Sequence, residues 1–139
     1  MDAPGSPREL EARLARLPNP VRLVFFTQTF GCDTCLSARQ VVDQIASLSE
    51  QITVEEHNLV LDKEKVAKFG VDRAPAIAVV GEMDLGIRYY GVPSGYELAS
   101  LVDAVLLAGT GELGLSDESL AAVAGLDRPV DIKVFVTPT

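Results

Sequence analysis

The chain has 139 residues and a formal net charge of −8, with 47% hydrophobic and 23% charged residues. That length and balance fit one globular domain with a sizeable core, and the acidity excludes a general nucleic-acid binder or a basic patch for anionic lipid. Its two cysteines are Cys32 and Cys35, and its one histidine is His57.

In chain order, MDAPGSPRELEARLARLPNP lacks a basic segment followed by an apolar one, so no secretory leader is expected. No window reaches the ~18 uninterrupted apolar residues of a membrane span. These readings place the protein in a reducing cytoplasm, where structural disulfides are rare. Leu10, Leu14 and Leu17 predict a short amphipathic helix over roughly 7–17. PVRLVFFTQT predicts a strand apolar on both faces, hence a central one. After Cys32, the spacing of Ala38, Val41, Val42, Ile45 and Leu48 predicts a helix. ITVEEHNL predicts a second strand, with His57 expected to be exposed on the side of Thr53 and Glu55. Asp62 is placed to cap a helix over KEKVAKF, closed by Gly70. APAIAVVG and GIRYYG, joined by GEMD, predict a hairpin. Ser94 to Glu97 has the form of a capping box before a helix bearing Leu98, Leu101, Val102, Val105 and Leu106. The order is a leading helix, then β-α-β-α-β-β-α. Read as two parallel units, a hairpin and a final helix, it gives an α/β domain with a mixed sheet over residues 1–110.

Residues 111–139 are a surplus: a turn-rich linker, a helix over Asp117–Ala124, and a strand in RPVDIKVFVTPT. Pro20, Val21, Leu23 and Phe26 match Pro129, Val130, Ile132 and Phe135 at a constant offset, and a helix and a proline-bearing turn precede both. The order suggests the start of a second copy of the domain. An apolar strand without its own sheet is a pairing hazard. VDIKVFV is therefore expected to pair with an edge of the first unit or with another chain, which makes it a route to self-association.

Cys32-Asp33-Thr34-Cys35 stands between the first strand and the helix after it. A thiolate, not a thiol, attacks a disulfide, and a free cysteine with a pKa of about 8.5 is little ionised at neutral pH. Cys32 in the first turn of a helix lies near unpaired N–H groups and the positive end of the helix dipole, both favouring the anion. Cys35, one turn on, is placed to resolve a mixed disulfide formed at Cys32. Asp33 opposes ionisation, and Arg73 is a candidate cation for tuning the thiolate, against the plainer reading of a solvated arginine. A zinc site would need four ligands, or three and water, and here His57 and a carboxylate would have to converge on the cysteines. An accidental C-x-x-C does not account for its position between strand and helix.

A strand, a C-x-x-C opening a helix, and a proline heading the third strand resemble the thioredoxin/glutaredoxin superfamily. RAPAIAV, GIRYYGVPSGYE and VFVTPT resemble more specifically the first unit, and the opening of the second, of two-unit protein disulfide oxidoreductases of thermophiles. The resemblance implies a thioredoxin-like fold with an extra N-terminal helix and a C-terminal helix-strand extension. It implies a cis peptide at Ala74-Pro75 and a substrate strand pairing with the backbone of Ala74. The activity implied is thiol-disulfide exchange with disulfide-containing or dithiol proteins, carried by the Cys32/Cys35 pair without a further cofactor. The cysteines enclose neither Gly-Pro nor Pro-Tyr, and GVPSGYE departs from the Gly-Gly turn of glutathione-binding relatives. Two other readings stand beside this one. One is an electron-relay module between a flavoprotein reductase and a peroxidase; the other is a docking scaffold with an inert C-x-x-C.

Overall fold

The computed structural model describes residues 6–137; the leader reading at residues 1–5 and the last two residues of the C-terminal strand reading lie outside them. Helix α1 spans Pro7–Ala15, with the Ser6 hydroxyl accepting from Glu9 N and Pro7 in the first turn, where its missing N–H costs nothing. Strand β1 (Val21–Thr27) leads to α2 (Cys35–Ser47), β2 (Ile52–Asn58), α3 (Lys63–Phe69), β3 (Ala76–Val80), β4 (Ile87–Tyr90), α4 (Tyr96–Thr110) and α5 (Asp117–Ala124). The four strands form one sheet in the order β2-β1-β3-β4.

The apolar run of β1 places it between β2 and β3, covered on both faces. Val21, Leu23 and Phe25 join Leu14 of α1, Ala38, Val42 and Ile45 of α2, and Leu101 and Val105 of α4. Val24 and Phe26 point to the opposite face, with Phe69, Val71, Ala76, Ala78 and Val80. The period of two along a strand builds both cores from one segment.

The expected pair of parallel units is half right. β1 and β2 are parallel, whereas β3 runs antiparallel to both β1 and β4. β2 ends, and β3 begins, at the end of the sheet where β1 stops. The connection through the seven-residue α3 therefore crosses a face without returning along the strands, as a parallel crossover would require.

Two expected caps are also replaced. Asp62 precedes α3, but its Oδ2 accepts from Asn58 N at 2.6 Å, not from a helix N–H. Gly95, at φ +61, is the residue before α4, and the Ser94 carbonyl rather than its hydroxyl accepts from Glu97 N at 3.2 Å. Gly70 does close α3, in the left-handed conformation.

The C-terminal segment departs most from expectation. α5 buries no residue, and 130–136 forms no strand: Ile132, Phe135 and Val136 are 82%, 92% and 81% exposed. It pairs with neither edge of the sheet: its two-sided apolar pattern asks for flanking strands on both sides, and β1 and β3 already fill the two such positions here. Among the described residues no helix is long and apolar enough to cross a membrane.

Candidate functional site

The site is built where β1 ends. After Thr27 the chain turns through Gly31, at φ +73, a backbone region that favours glycine. Cys32 follows outside any helix. α2 begins at Cys35, after Thr34, and its first carbonyl acceptor is Thr34 O, taken by Ala38 N at 3.0 Å. The reading that put Cys32 in the first helical turn is thus corrected by three residues: the turn through Asp33 and Thr34 comes first, and the helix starts at the second cysteine.

Cys32 and Cys35 are joined as a disulfide, with Cα atoms 5.5 Å apart. The two cysteines differ in surroundings: Cys35 is buried at 6% exposure, while Cys32 is half-buried and Asp33 is exposed. Helix α2 is fixed against the sheet by Arg39, whose guanidinium reaches Asp43 at 2.9 Å and Glu56 of β2 at 3.1 Å. Ala38, Val42 and Ile45 anchor the same helix in the core.

The Ala74-Pro75 peptide is cis. Pro75 is buried and its carbonyl accepts from Gly91 N at 3.0 Å. Ala74 is half-buried, and neither its N–H nor its C=O has a backbone partner among the described residues. Because Ala76 pairs with Phe26 near the end of β1, this loop lies at the same end of the sheet as the disulfide.

Arg73 is held elsewhere than the cysteines. Its Nε donates to Asp72 Oδ1 at 2.9 Å, and its guanidinium lies 4.8 Å from the centre of the Tyr90 ring. Asp72 holds the Arg73 guanidinium above its ordinary value, and that guanidinium in turn holds the Asp72 carboxyl below its own. Among the described residues Arg73 makes no hydrogen bond, ion pair or ring contact with Cys32.

His57 is not the exposed strand residue expected. Its side chain is 14% exposed, on the Glu55 side as read, with Nε2 at 3.1 Å from Glu55 Oε2 and the ring 5.6 Å from that of Phe26. The imidazole beside it holds the Glu55 carboxyl below its usual range against the opposing effect of burial, with Arg22 adding to the depression. Glu55 Oε2 and His57 Nε2 are both buried and without another polar partner. Among the described residues no cluster of three His, Cys, Asp or Glu side chains could hold a metal ion.

Sequence reasoning missed Tyr90 as the seat of Arg73 and Phe30, 86% exposed just before the disulfide. Phe30 carried a signal, an aromatic side chain in a turn with no buried face to fill. Tyr90 carried none without the strand register.

No family model matches the chain. It is 44% identical over 66 residues to an NADH dehydrogenase of Ferdinandcohnia aciditolerans, a match spanning 48% of this chain and 11% of that protein. It is 33% identical over 73 residues to a probable thioredoxin of Methanothermobacter thermautotrophicus, spanning 52% of this chain and 81% of that protein. A protein disulfide oxidoreductase from Aeropyrum pernix superposes with a TM-score of 0.73 at 27% identity, over 90% of this chain and 56% of that one. The NTD_N/C domain of alkylhydroperoxide reductase AhpF from Enterococcus faecalis superposes with a TM-score of 0.69 at 25% identity, over 80% and 54%. The chain thus spans a small part of the dehydrogenase and little more than half of the two superposed structures. The mixed four-stranded sheet with its C-x-x-C disulfide, and the identity running across most of a thioredoxin-length relative, converge on one conclusion: the chain belongs to the thioredoxin family.

Proposed function

We propose that this chain is a thiol-disulfide oxidoreductase acting on protein substrates through Cys32 and Cys35. The observation that carries the reading is the asymmetry of the pair: one cysteine half-buried at the end of the sheet, the other buried at the start of a helix. In the reducing direction the Cys32 thiolate attacks one sulfur of the substrate disulfide. That bond breaks, a mixed disulfide forms, and one substrate thiolate leaves. The Cys35 thiolate then attacks the Cys32 sulfur, closing the Cys32–Cys35 disulfide and releasing the second substrate thiol. Two electrons pass to the substrate, and a dithiol or reductase must return them. The carrier is the cysteine pair itself.

The vacant backbone groups of Ala74 support a substrate strand pairing there, with Pro75 buried beneath it. Asp33 stands as a charge beside Cys32, whereas Arg73 is engaged by Asp72 rather than by the pair. A reducing cytoplasm is the compartment that keeps such a pair cycling. The test is reduction of a protein disulfide substrate with dithiothreitol as electron source. Wild type is expected to accelerate it and Cys32→Ser to abolish the acceleration; equal rates for the two would overturn the reading.

A second reading is favoured by the NADH dehydrogenase and AhpF matches: electrons reach the pair from a flavoprotein reductase and pass on to a peroxidase. NADH-driven reduction of Cys32–Cys35 by a purified NADH dehydrogenase of the matched type separates this from a free-standing oxidoreductase.

We also propose the division of the chain into a thioredoxin-like domain at 1–110 and the start of a second unit at 111–139. The repeat of β1 by 130–136, the bare surface of α5, and a superposition covering 90% of the chain support it. The same exposed segment is the surface through which copies of the chain would associate.

A further inference from the structure

Arg73 stands immediately before the Ala74-Pro75 step, at the end of the sheet that carries the disulfide. It is exposed, yet it is not loose. Tyr90 lies under its guanidinium at 4.8 Å, and Asp72 takes its Nε–H at 2.9 Å and, more weakly, an Nη2–H at 3.5 Å. Tyr90 is itself fixed, because β4 pairs it with Ala76 and Gly91 N bonds to Pro75 O. We propose that Arg73, seated on Tyr90, selects an acidic side chain in the protein strand that pairs at Ala74. This rests on the oxidoreductase reading above.

Asp72 engages only one edge of the guanidinium. Nη1 has no partner among the described residues, so the end-on edge formed by Nη1 and Nη2 remains open toward solvent. That edge is a planar fork whose two parallel N–H groups match the two oxygens of a carboxylate. A mobile surface arginine would lose rotamer freedom on binding; here the ring and Asp72 have already restricted it. A lysine could neither form the fork nor stack flat on the ring.

The electrostatics make this a local device. The chain as a whole carries −8 and Asp33 lies exposed between the cysteines, so nothing else described at this site draws a carboxylate in. The overall field acts on all substrates of one charge alike, and it cancels when wild type and a variant are compared on the same set of peptides.

The test uses three disulfide-linked peptides differing only in Glu, Gln or Lys two positions from the cysteine. For each protein the ratio of kcat/KM for the Glu peptide to that for the Lys peptide is measured. Exposed charge pairs are weak, so the ratio is expected to be about threefold higher in wild type than in Arg73→Gln. Tyr90→Leu should fall between the two, since it frees the guanidinium without removing it, and Arg73→Lys should recover less than half of the effect. The same ratio in wild type and Arg73→Gln would overturn the inference while leaving the oxidoreductase reading intact. No turnover of any peptide by wild type would overturn both.

Discussion

Cys32 and Cys35 share a motif but not an environment, and the roles proposed for them follow that difference. On that proposal the half-buried cysteine ahead of the helix meets the substrate, and the one at 6% exposure meets its neighbour. Cys35→Ser is expected to accumulate a mixed disulfide between Cys32 and substrate, visible on non-reducing gels and by mass. Cys32→Ser should trap none, and trapping through Cys35 instead would reverse the assignment. The cysteines were legible in the sequence because their position after an apolar run is a local signal. The enclosure of His57 by Phe26 and Glu55 was not, because it depends on Phe26 pairing with His57 across β1 and β2. The seat of Arg73 on Tyr90 was hidden for the same reason: two residues far apart in sequence meet only once β4 is in register.

The elements that frame the site are held by a few close approaches. At Gly81, just beyond β3, an added Cβ would collide with the backbone carbonyl of Ala108 in α4, and backbone cannot swing aside as a side chain can. Gly81→Ala should therefore cost about 2 kcal/mol or more, read as a lower denaturation midpoint; an unchanged midpoint would show that α4 can shift. The β3–β4 hairpin is tied to α3 by Arg88, which donates to Asp84 Oδ2 at 2.6 Å and Oδ1 at 2.9 Å and to Phe69 O at 2.8 Å. Arg88 holds the Asp84 carboxyl below its usual range, against the opposing effect of burial. A depressed carboxylate contributes stability that is present above its unfolded pKa, about 3.9, and lost as pH falls through the lower folded value. Asp84→Asn should accordingly flatten the loss of stability below about pH 4, measured as urea midpoints across the acidic range. A slope equal to that of wild type would place the acid sensitivity elsewhere. Within residues 6–110 the element types followed from apolar periodicity, which is local. The antiparallel course of β3 and the start of α2 did not, because both are set by how α3 and the disulfide turn are accommodated.

At the scale of the whole molecule, residues 6–110 hold both cores, while α5 and 130–136 contribute nothing to either. At a protein concentration too low for copies to associate, replacing Ile132 and Phe135 together by Ser should thus leave the thermal midpoint within about 1–2 °C of wild type, as for exposed sites away from structural features. A clear drop at that dilution would mean that the segment is covered by this chain itself, and would revive the pairing with the first unit expected from its pattern. That pattern was read correctly as apolar; where such a strand finds its neighbours is not written within it. The central claim, that the molecule is a working two-electron couple, is tested most directly by equilibrating it in a graded series of thiol/disulfide buffers. Free thiols are then alkylated and counted by mass. The account predicts one reversible transition in which Cys32 and Cys35 gain or lose two electrons together. Cysteines that stay reduced across the whole series would contradict it and leave a thioredoxin-like scaffold whose C-x-x-C is inert.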